Sequence, residues 1–298
     1  MIRSMMLKGK NVIITGGGRG IGRAVAIACA KEGANLGLFA RTIDELEATK
    51  KDIENLGTGS KVFVKAGDIT KYEDVESAFK EMNQVLGPFN GVIANAGTYW
   101  KKETHELDPA TFARVMNVNV LGVFYTFKAA YALMKKDDKA DRARFIITGS
   151  AIYPNAETMP KYACYAASKW AVAGFQKSIA AEYAKENISF SMVLPTMVDT
   201  RLLRGKNAGD GQKPPTVLAP EDLCVYYVFL LSSEANKLSD VYVDVMEMQA
   251  VRKFVQEAPA EKKASWEVFK AYFEEKEQGL AQNTRKLRKL TEFFLAHN

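Results

Sequence analysis

A glycine-rich turn between an apolar strand and an apolar helix is the feature that most constrains the fold of this chain. The residues Val12-Ile13-Ile14 are typical of a short buried strand, and apolar residues recur with helical spacing from Ala24 onward. The sequence TGGGRGIG separates them over residues 15–22. Glycine lets the backbone turn tightly, and the N–H groups at a helix N-terminus bind phosphate. The order of strand, turn and helix therefore predicts a phosphate-binding loop rather than a flexible connection.

A regular alternation of strands and helices extends this pattern along the chain. Helical patterns fill the gaps between strand-like runs, which stand at residues 11–15, 35–40, 61–66, 90–94, 143–149, 188–194 and 241–245. We therefore predict an α/β fold of the doubly wound, Rossmann type, with a seven-stranded, mostly parallel sheet and helices on both faces. Ligands of such sheets bind beyond the carboxyl ends of the strands, and the glycine turn lies at one of these ends.

A tyrosine and a lysine stand four residues apart, at Tyr165 and Lys169, which places both on one face of a helix. A nearby cation favours the phenolate and lowers the pKa of a tyrosine. Such a pair can act as a general acid or base at a carbonyl or an alcohol. Because the pattern is short and common, its meaning depends on the motifs that accompany it.

Taken together, these motifs resemble the short-chain dehydrogenase/reductase family over about residues 7 to 245. TGxxxGxG at residues 15–22 and YxxxK at residues 165–169 match the family in type and order. Four further matches stand in family order at Asn95-Ala96-Gly97, Asn119, Ser150, and Pro195 with Thr200. The resemblance implies an oxidoreductase that transfers hydride between a nicotinamide and a carbonyl or alcohol.

The resemblance also implies a role for each member of a catalytic group, which consists of Asn119, Ser150, Tyr165 and Lys169. Tyr165 would exchange a proton with the substrate oxygen, and Ser150 would hydrogen-bond that oxygen. Lys169 would lower the Tyr165 pKa and bind the nicotinamide ribose. Asn119 would hold a water that links Lys169 to solvent. Asn117 competes for that role, but the family pattern favours Asn119.

The predicted dinucleotide site combines the motif residues with the ends of neighbouring strands. Its members are Thr15, Gly16, Gly18, Arg19, Gly20, Ile21, Gly22, Arg41, Asp68, Ile69, Asn95, Ala96, Gly97, Tyr165, Lys169, Pro195, Val198 and Thr200. Asp68 matches the family's adenine-side position, although it could equally cap the helix that follows. Asp44 and Glu45 suit the helix dipole at the start of a helix.

Charge at the end of the second strand favours NADP(H) over NAD(H). An NAD site places an acidic residue about 20 positions after the glycines, where it binds the ribose 2′-hydroxyl. Here the strand ends at Ala40-Arg41-Thr42 without a carboxylate. Arg41, together with Arg19 in the glycine turn, could hold the 2′-phosphate of NADP through charged hydrogen bonds. The alternative is that Arg41 is a solvated surface residue.

The chain departs from the family pattern near the substrate. Fourteen residues separate Ser150 from Tyr165, where the family usually has about twelve, so the loop is longer. Tyr162 would give a shorter gap, but alanine rather than lysine stands four residues after it. Tyr153 either lines the pocket or is a simple loop aromatic. Pro195-Thr196 replaces the family's common Pro-Gly, and the last strand lacks a glycine-rich ending.

Composition is that of a globular enzyme, with 47% apolar residues and no apolar run near the roughly 20 residues of a membrane helix. Three unevenly spaced cysteines predict no disulfide framework, which suits the cytoplasm. The two histidines, His105 and His297, are isolated, so we predict no metal site. The net charge of +6 comes without an aromatic-interleaved basic patch, so we predict no nucleic-acid partner. The lack of a membrane-length apolar run predicts no membrane partner.

We predict two parts, a dinucleotide-binding domain over residues 1–249 and a C-terminal helical extension over residues 250–298. Aromatic and leucine residues recur with helical spacing in the extension, which suggests two amphipathic helices. These helices would pack on their own domain or a partner subunit, cover the substrate cleft, or meet an anionic partner. Family analogy suggests a homodimer or homotetramer that pairs helices near residues 111–135 and 162–185.

The leading prediction for function is an NADP(H)-dependent oxidoreductase with Tyr165 as general acid/base. A 3-oxoacyl-type compound, a small ketone, and a sugar or polyol remain open as substrates. A mobile lid is expected over residues 201–219, where Arg201, Arg204, Lys206 and Lys213 either meet an anionic group or are solvated. The alternative is a non-catalytic scaffold that binds dinucleotide and uses its C-terminal helices to bind a partner.

Overall fold

The computed structural model describes residues 5–137, 141–153 and 155–249. The two helices predicted beyond residue 250, and the separate extension that they would form, lie outside the described residues. Within the described part the chain forms seven strands, which are β1 (Asn11–Thr15), β2 (Asn35–Ala40), β3 (Val62–Ala66), β4 (Gly91–Ala94), β5 (Ala143–Thr148), β6 (Ile188–Leu194) and β7 (Val241–Asp244).

The strands form one sheet in the order β3-β2-β1-β4-β5-β6-β7. Each neighbouring pair is parallel, so the predicted mostly parallel sheet is fully parallel in the described part of the chain. Strand β1 pairs with β2 on one side and β4 on the other, so the strand order reverses between β1 and β4. A crevice opens at such a reversal, beyond the carboxyl ends of the strands, and is where doubly wound proteins bind ligands.

Helices cover both faces of the sheet, as predicted. They are α1 (Gly20–Lys31), α2 (Ile43–Glu54), α3 (Tyr72–Leu86), α4 (Pro109–Met116), α5 (Gly122–Tyr131), α6 (Ala163–Glu182), α7 (Arg201–Arg204) and α8 (Cys224–Leu231). Because successive residues of a strand point to opposite faces, β1 contributes to two cores. Val12 and Ile14 pack with α1, α2 and α8, whereas Ile13 packs with α3, α5 and α6.

Helices α4 and α5 are joined without a break by one π-helical turn, Asn117–Leu121. The Gly122 N–H donates to the Asn117 carbonyl oxygen across this turn. Such turns are uncommon and are frequent at functional sites. This one carries Asn119, whose predicted role is catalytic. Among the described residues, no helix combines the length and apolar content that crossing a bilayer requires.

Candidate active site

The glycine turn is too tight for side chains at two of its positions. Gly16 has a φ of 71°, in the left-handed region that glycine adopts freely. A Cβ atom on Gly22 would lie 2.2 Å from the Gly16 carbonyl oxygen, so the first turn of α1 packs directly on the loop backbone. The first turn of α1 also contains no acidic residue. This cradle fits a phosphate group held by backbone N–H groups.

Thr15 and Asn95 connect the glycine turn to the neighbouring strand ends. The Thr15 hydroxyl accepts hydrogen bonds from the backbone N–H groups of Asn95 (3.0 Å) and Ala96 (3.1 Å). The Asn95 Nδ2 donates to the Thr15 carbonyl oxygen at 3.0 Å, and its Oδ1 accepts from the Thr148 hydroxyl at 3.3 Å. The ends of β1, β4 and β5 are therefore bound together through one asparagine. Gly97 follows them at the surface.

The segment after β6 returns to the glycine turn. The Pro195 carbonyl oxygen accepts from the Ala151 N–H at 2.8 Å, and the Thr200 hydroxyl donates to the Val198 carbonyl oxygen at 3.3 Å. A Cβ on Gly20 would lie 3.1 Å from the Thr200 Cγ2 atom. The predicted nicotinamide-side residues and the phosphate loop therefore lie side by side.

Two arginines near the loop share one carboxylate oxygen. Arg19 and Arg201 each place a guanidinium nitrogen 3.1 Å from the Glu45 Oε1 atom. Glu45 lies in the first turn of α2, as predicted for a residue that favours the helix dipole, but it also holds these arginines. In the predicted lid, Arg204 pairs with Asp210 of the lid and with Asp199 just before it, both at 3.0 Å, so its charge is neutralised locally.

Arg41, Asp68 and Ile69 lie at the ends of β2 and β3. Arg41 is exposed. The Asp68 carboxylate accepts from the Thr70 N–H (2.9 Å) and hydroxyl (2.8 Å), which forms a local turn ahead of α3. The N-cap of α3 is Lys71, so the alternative interpretation of Asp68 as the cap of this helix is wrong. The Thr70 N–H, and also the Arg41 charge, lower the Asp68 pKa. Ile69 is buried against the Gly122 backbone.

Tyr165 and Ser150 are brought together as predicted. Burial raises the pKa of Tyr165, and the neighbouring phenols of Tyr162 and Tyr99 act in the same direction, whereas a hydrogen bond with Ser150 lowers it. That Lys169 lowers the Tyr165 pKa stays a prediction. A phenol with a raised pKa keeps its proton at neutral pH and can donate it.

Lys169 lies deep beside Tyr165. Its Nζ atom is 5.5 Å from the Tyr165 ring centroid and donates to the Thr148 carbonyl oxygen at 2.9 Å. The side chain is 6% exposed. Burial lowers the pKa of Lys169 to about 8, because the charged form loses its hydration.

A lysine with this pKa gives stability a specific pH dependence. Below about pH 8 both folded and unfolded chains carry the proton, and the folded chain bears the full cost of burying it. Above pH 8 the folded chain loses the proton first, so wild-type stability rises toward the unfolded pKa. From roughly pH 7 to pH 10, the unfolding free energy of wild type should gain on that of Lys169→Met by about 2–4 kcal/mol. Denaturant unfolding at both pH values measures the gain.

The control is Lys177→Met, because Lys177 is exposed on the same helix. The difference in unfolding free energy between Lys177→Met and wild type should be the same at both pH values. A Lys169→Met difference that is also independent of pH would show that Lys169 titrates normally in the folded protein.

Asn119 is buried, whereas its competitor Asn117 is exposed. The Asn119 Oδ1 accepts from the Thr98 N–H at 2.8 Å, and its Nδ2 donates to the Thr98 carbonyl oxygen (2.8 Å) and the Ser168 hydroxyl (2.9 Å). The side chain therefore ties the loop after β4 to helix α6. The sequence indicated this position, but not these partners. That Asn119 holds a water stays a prediction.

Aromatic side chains lie around the Tyr165 phenol, and sequence reasoning missed one of them. Tyr99, which follows the Asn95-Ala96-Gly97 motif, has its ring centroid 6.1 Å from that of Tyr165. Its position directly after β4 was the available signal. Tyr153 instead packs against Trp170 (4.6 Å) and Tyr242 (6.0 Å), so its ring contributes to packing behind Ser150.

The fold and site define a doubly wound protein whose phosphate cradle adjoins a tyrosine, serine and lysine group. Residues 10–211 match the model of the short chain dehydrogenase family. The chain belongs to this family, as the motifs predicted, and is therefore an oxidoreductase of the dehydrogenase/reductase type.

Relatives and solved structures support this assignment. The chain is 31% identical over 244 residues to the 2-(S)-hydroxypropyl-CoM dehydrogenase 3 of Xanthobacter autotrophicus, covering 78% of this chain and 93% of that protein. It resembles an alcohol dehydrogenase from Thermococcus sibiricus complexed with 5-hydroxy-NADP, with 31% identity, a TM-score of 0.68, and coverage of 79% and 94% of the two chains. It also resembles a 3-ketoacyl-(acyl-carrier-protein) reductase from Brucella melitensis complexed with NADH. The identity is 27%, the TM-score is 0.71, and the match covers 80% of this chain and 97% of that one.

Proposed function

We propose that this protein is an NADP(H)-dependent oxidoreductase that transfers hydride between the nicotinamide and a carbonyl or secondary-alcohol substrate. The observation that carries the proposal is the hydrogen-bonded pair of Tyr165 and Ser150, with Lys169 beside it. The pair lies at the carboxyl edge of the sheet, where the glycine turn can bring a dinucleotide. Relatives named as dehydrogenases and reductases support the same chemistry.

The described residues fit a dinucleotide. The cradle between Gly16 and Gly22, which a Cβ would fill, would take the pyrophosphate. Asp68 and Ile69 would flank the adenine, and the segment from Pro195 to Thr200 would meet the nicotinamide. When bound, the nicotinamide would supply or accept the hydride.

The protein's own residues would handle the proton. In reduction, the Tyr165 hydroxyl would donate its proton to the substrate oxygen as negative charge develops there. The Ser150 hydroxyl would donate a hydrogen bond to the same oxygen and hold it beside Tyr165. Lys169 would favour the resulting phenolate by its charge. The hydrogen bond from the Lys169 Nζ atom to the Thr148 carbonyl oxygen fixes the position of the ammonium beside the Tyr165 ring.

NADP(H) is proposed over NAD(H) because the end of β2 presents Arg41 and no carboxylate. Arg19, in the glycine turn, and Arg201 both contact Glu45, in the first turn of the helix that follows β2. The structural neighbours include complexes with an NADP derivative and with NADH, so family membership leaves the choice to these side chains.

Substitution of Arg41 tests the cofactor proposal. Arg41→Ala should weaken NADPH binding by about 10- to 100-fold and change NADH binding less than about twofold, because a hydrogen bond to a charged group contributes about 1.5–3 kcal/mol. Tryptophan fluorescence titration with each dinucleotide measures both constants. The matched control is Arg23→Ala, which removes an arginine of α1 that pairs with Asp52 of α2. Equal losses for NADPH and NADH would contradict a phosphate-binding role.

The substrate is proposed to be a 3-oxoacyl-type compound or a small ketone.

We also propose a homodimer or homotetramer. Large apolar side chains stand exposed on α4, α5, the π turn between them and α6, namely Phe112, Phe124, Leu121 and Trp170. The three free and buried cysteines support a cytoplasmic location.

A further inference from the structure

A stacked pair of tyrosines adjoins the reacting phenol. The rings of Tyr99 and Tyr162 lie 6.0 Å apart with an angle of 24° between their planes. Tyr99 meets Tyr165 edge to face, at 6.1 Å and 70°. Both phenols raise the Tyr165 pKa, and the edge-to-face contact of Tyr99 places the pair beside the Tyr165 ring. We call Tyr99 and Tyr162 the tyrosine wall.

The wall is fixed by contacts between two segments that are distant in sequence. The Lys102 N–H donates to the Lys161 carbonyl oxygen at 2.9 Å, and the Lys161 ammonium lies 2.8 Å from the Glu103 carboxylate. The Lys101 ammonium lies 5.3 Å from the centroid of the Tyr162 ring. The loop after β4 is thereby bound to the start of α6 next to the tyrosine pair.

Backbone strain at Lys161 places Tyr162 in the wall. Lys161 has a φ of 74°, a left-handed conformation that is unfavourable for a residue with a Cβ. Strain of this kind persists only where surrounding contacts maintain it, and it concentrates at functional sites. Here it ends the long loop after Ser150 and turns the chain into α6, one residue before Tyr162.

The geometry points to Tyr99 as a specificity-determining residue that receives a planar ring attached to the substrate carbonyl, with Tyr162 as the positioning residue behind it. This inference rests on the proposed function and narrows its substrate to small ring-bearing ketones. The carbonyl oxygen must lie at Tyr165 and Ser150, so one substituent of the carbonyl carbon lies toward the adjacent aromatic surface. Aromatic pairs gain energy beyond the area that they bury.

Two ketones of equal carbon number and similar shape test the inference. Acetophenone carries a planar aromatic ring, and cyclohexyl methyl ketone carries a saturated one. The quantity measured is kcat/KM for acetophenone divided by kcat/KM for cyclohexyl methyl ketone, both with NADPH. Tyr99→Leu should lower this ratio about three- to tenfold, because stacking contributes about 0.5–1.5 kcal/mol. Tyr162→Leu should lower it in the same direction, whereas Tyr162→Phe should preserve it, since the ring is retained.

Tyr72→Leu is the control, because Tyr72 packs against Tyr125 at the start of α3. Its ratio should equal that of wild type. A ratio that Tyr99→Leu leaves unchanged overturns the inference and leaves the proposed function standing. If wild type reduces neither ketone, calorimetric titration of acetophenone into the NADPH complexes of wild type and Tyr99→Leu tests the inference by binding alone. Binding that Tyr99→Leu weakens supports the wall, and an absence of binding overturns it.

Discussion

Tyr165→Phe is expected to lower kcat/KM by about 10²- to 10⁴-fold, the usual contribution of a positioned general acid or base. The substitution removes only the hydroxyl that bonds with Ser150. The ring keeps its contact with Tyr99 and its place above Lys169. We therefore expect an unchanged unfolding midpoint and NADPH dissociation constant, with the loss confined to turnover. Steady-state kinetics with NADPH and a ketone, beside circular dichroism, measure these quantities.

The matched control is Tyr153→Phe, which removes a hydroxyl from the loop just after Ser150. The Tyr153 ring packs against Trp170 and Tyr242, and Tyr153→Phe keeps this ring. We therefore expect the substitution to change kcat/KM by less than about threefold. Full activity in Tyr165→Phe would exclude Tyr165 as the proton donor. Equal losses in both variants would instead indicate a general disturbance of the loop.

Gly22→Ala is expected to abolish measurable dinucleotide binding. The added Cβ would lie 2.2 Å from the Gly16 carbonyl oxygen and 2.7 Å from the Asn95 Nδ2 atom, both far inside van der Waals contact. The first of these is backbone, so the loop must move and the phosphate cradle opens. We expect NADPH binding to fall more than about 100-fold and the unfolding free energy to fall by about 1–3 kcal/mol, as for overpacking.

Gly174→Ala provides the comparison, because a Cβ built on that helical glycine meets nothing within 4 Å among the described residues, apart from its chain neighbours and the backbone of its own helix. It should bind NADPH as wild type does and gain up to about 1 kcal/mol from helix propensity. NADPH titration and denaturant unfolding of both variants make the test. Wild-type affinity in Gly22→Ala would mean that the phosphate does not depend on the close approach of α1 to the loop.

The sheet was predictable because each strand is an apolar run between glycine or polar turns. Predicted and observed strand bounds differ by at most one residue, as at Val62 for β3 and Asp244 for β7. The family resemblance likewise implied that Ser150 and Tyr165 meet, and both stand at the carboxyl edge of the parallel sheet. Local pattern sufficed wherever a single strand and its following turn fixed a residue's place.

Contacts between distant segments were not predictable in the same way. Nothing local to Glu45 indicates that it receives both Arg19 and Arg201, since the second is brought there by the path of the chain after β6. The stacking of Tyr99 on Tyr162 depends on the left-handed turn at Lys161, which sequence propensity disfavours. Such features arise when tertiary contacts override local preference.

Asn95 links the two halves of the site, the glycine turn and the end of β5 that contacts Lys169. Its amide is bound to the phosphate loop at Thr15 and to the strand end at Thr148, whose carbonyl in turn receives Lys169. Hydride transfer needs donor and acceptor carbons to approach within a narrow distance, and an error of about 1 Å can cost about 100-fold in rate. Because one amide links both halves, we expect Lys169 to share any displacement of the glycine turn, so that their separation varies less than either position alone.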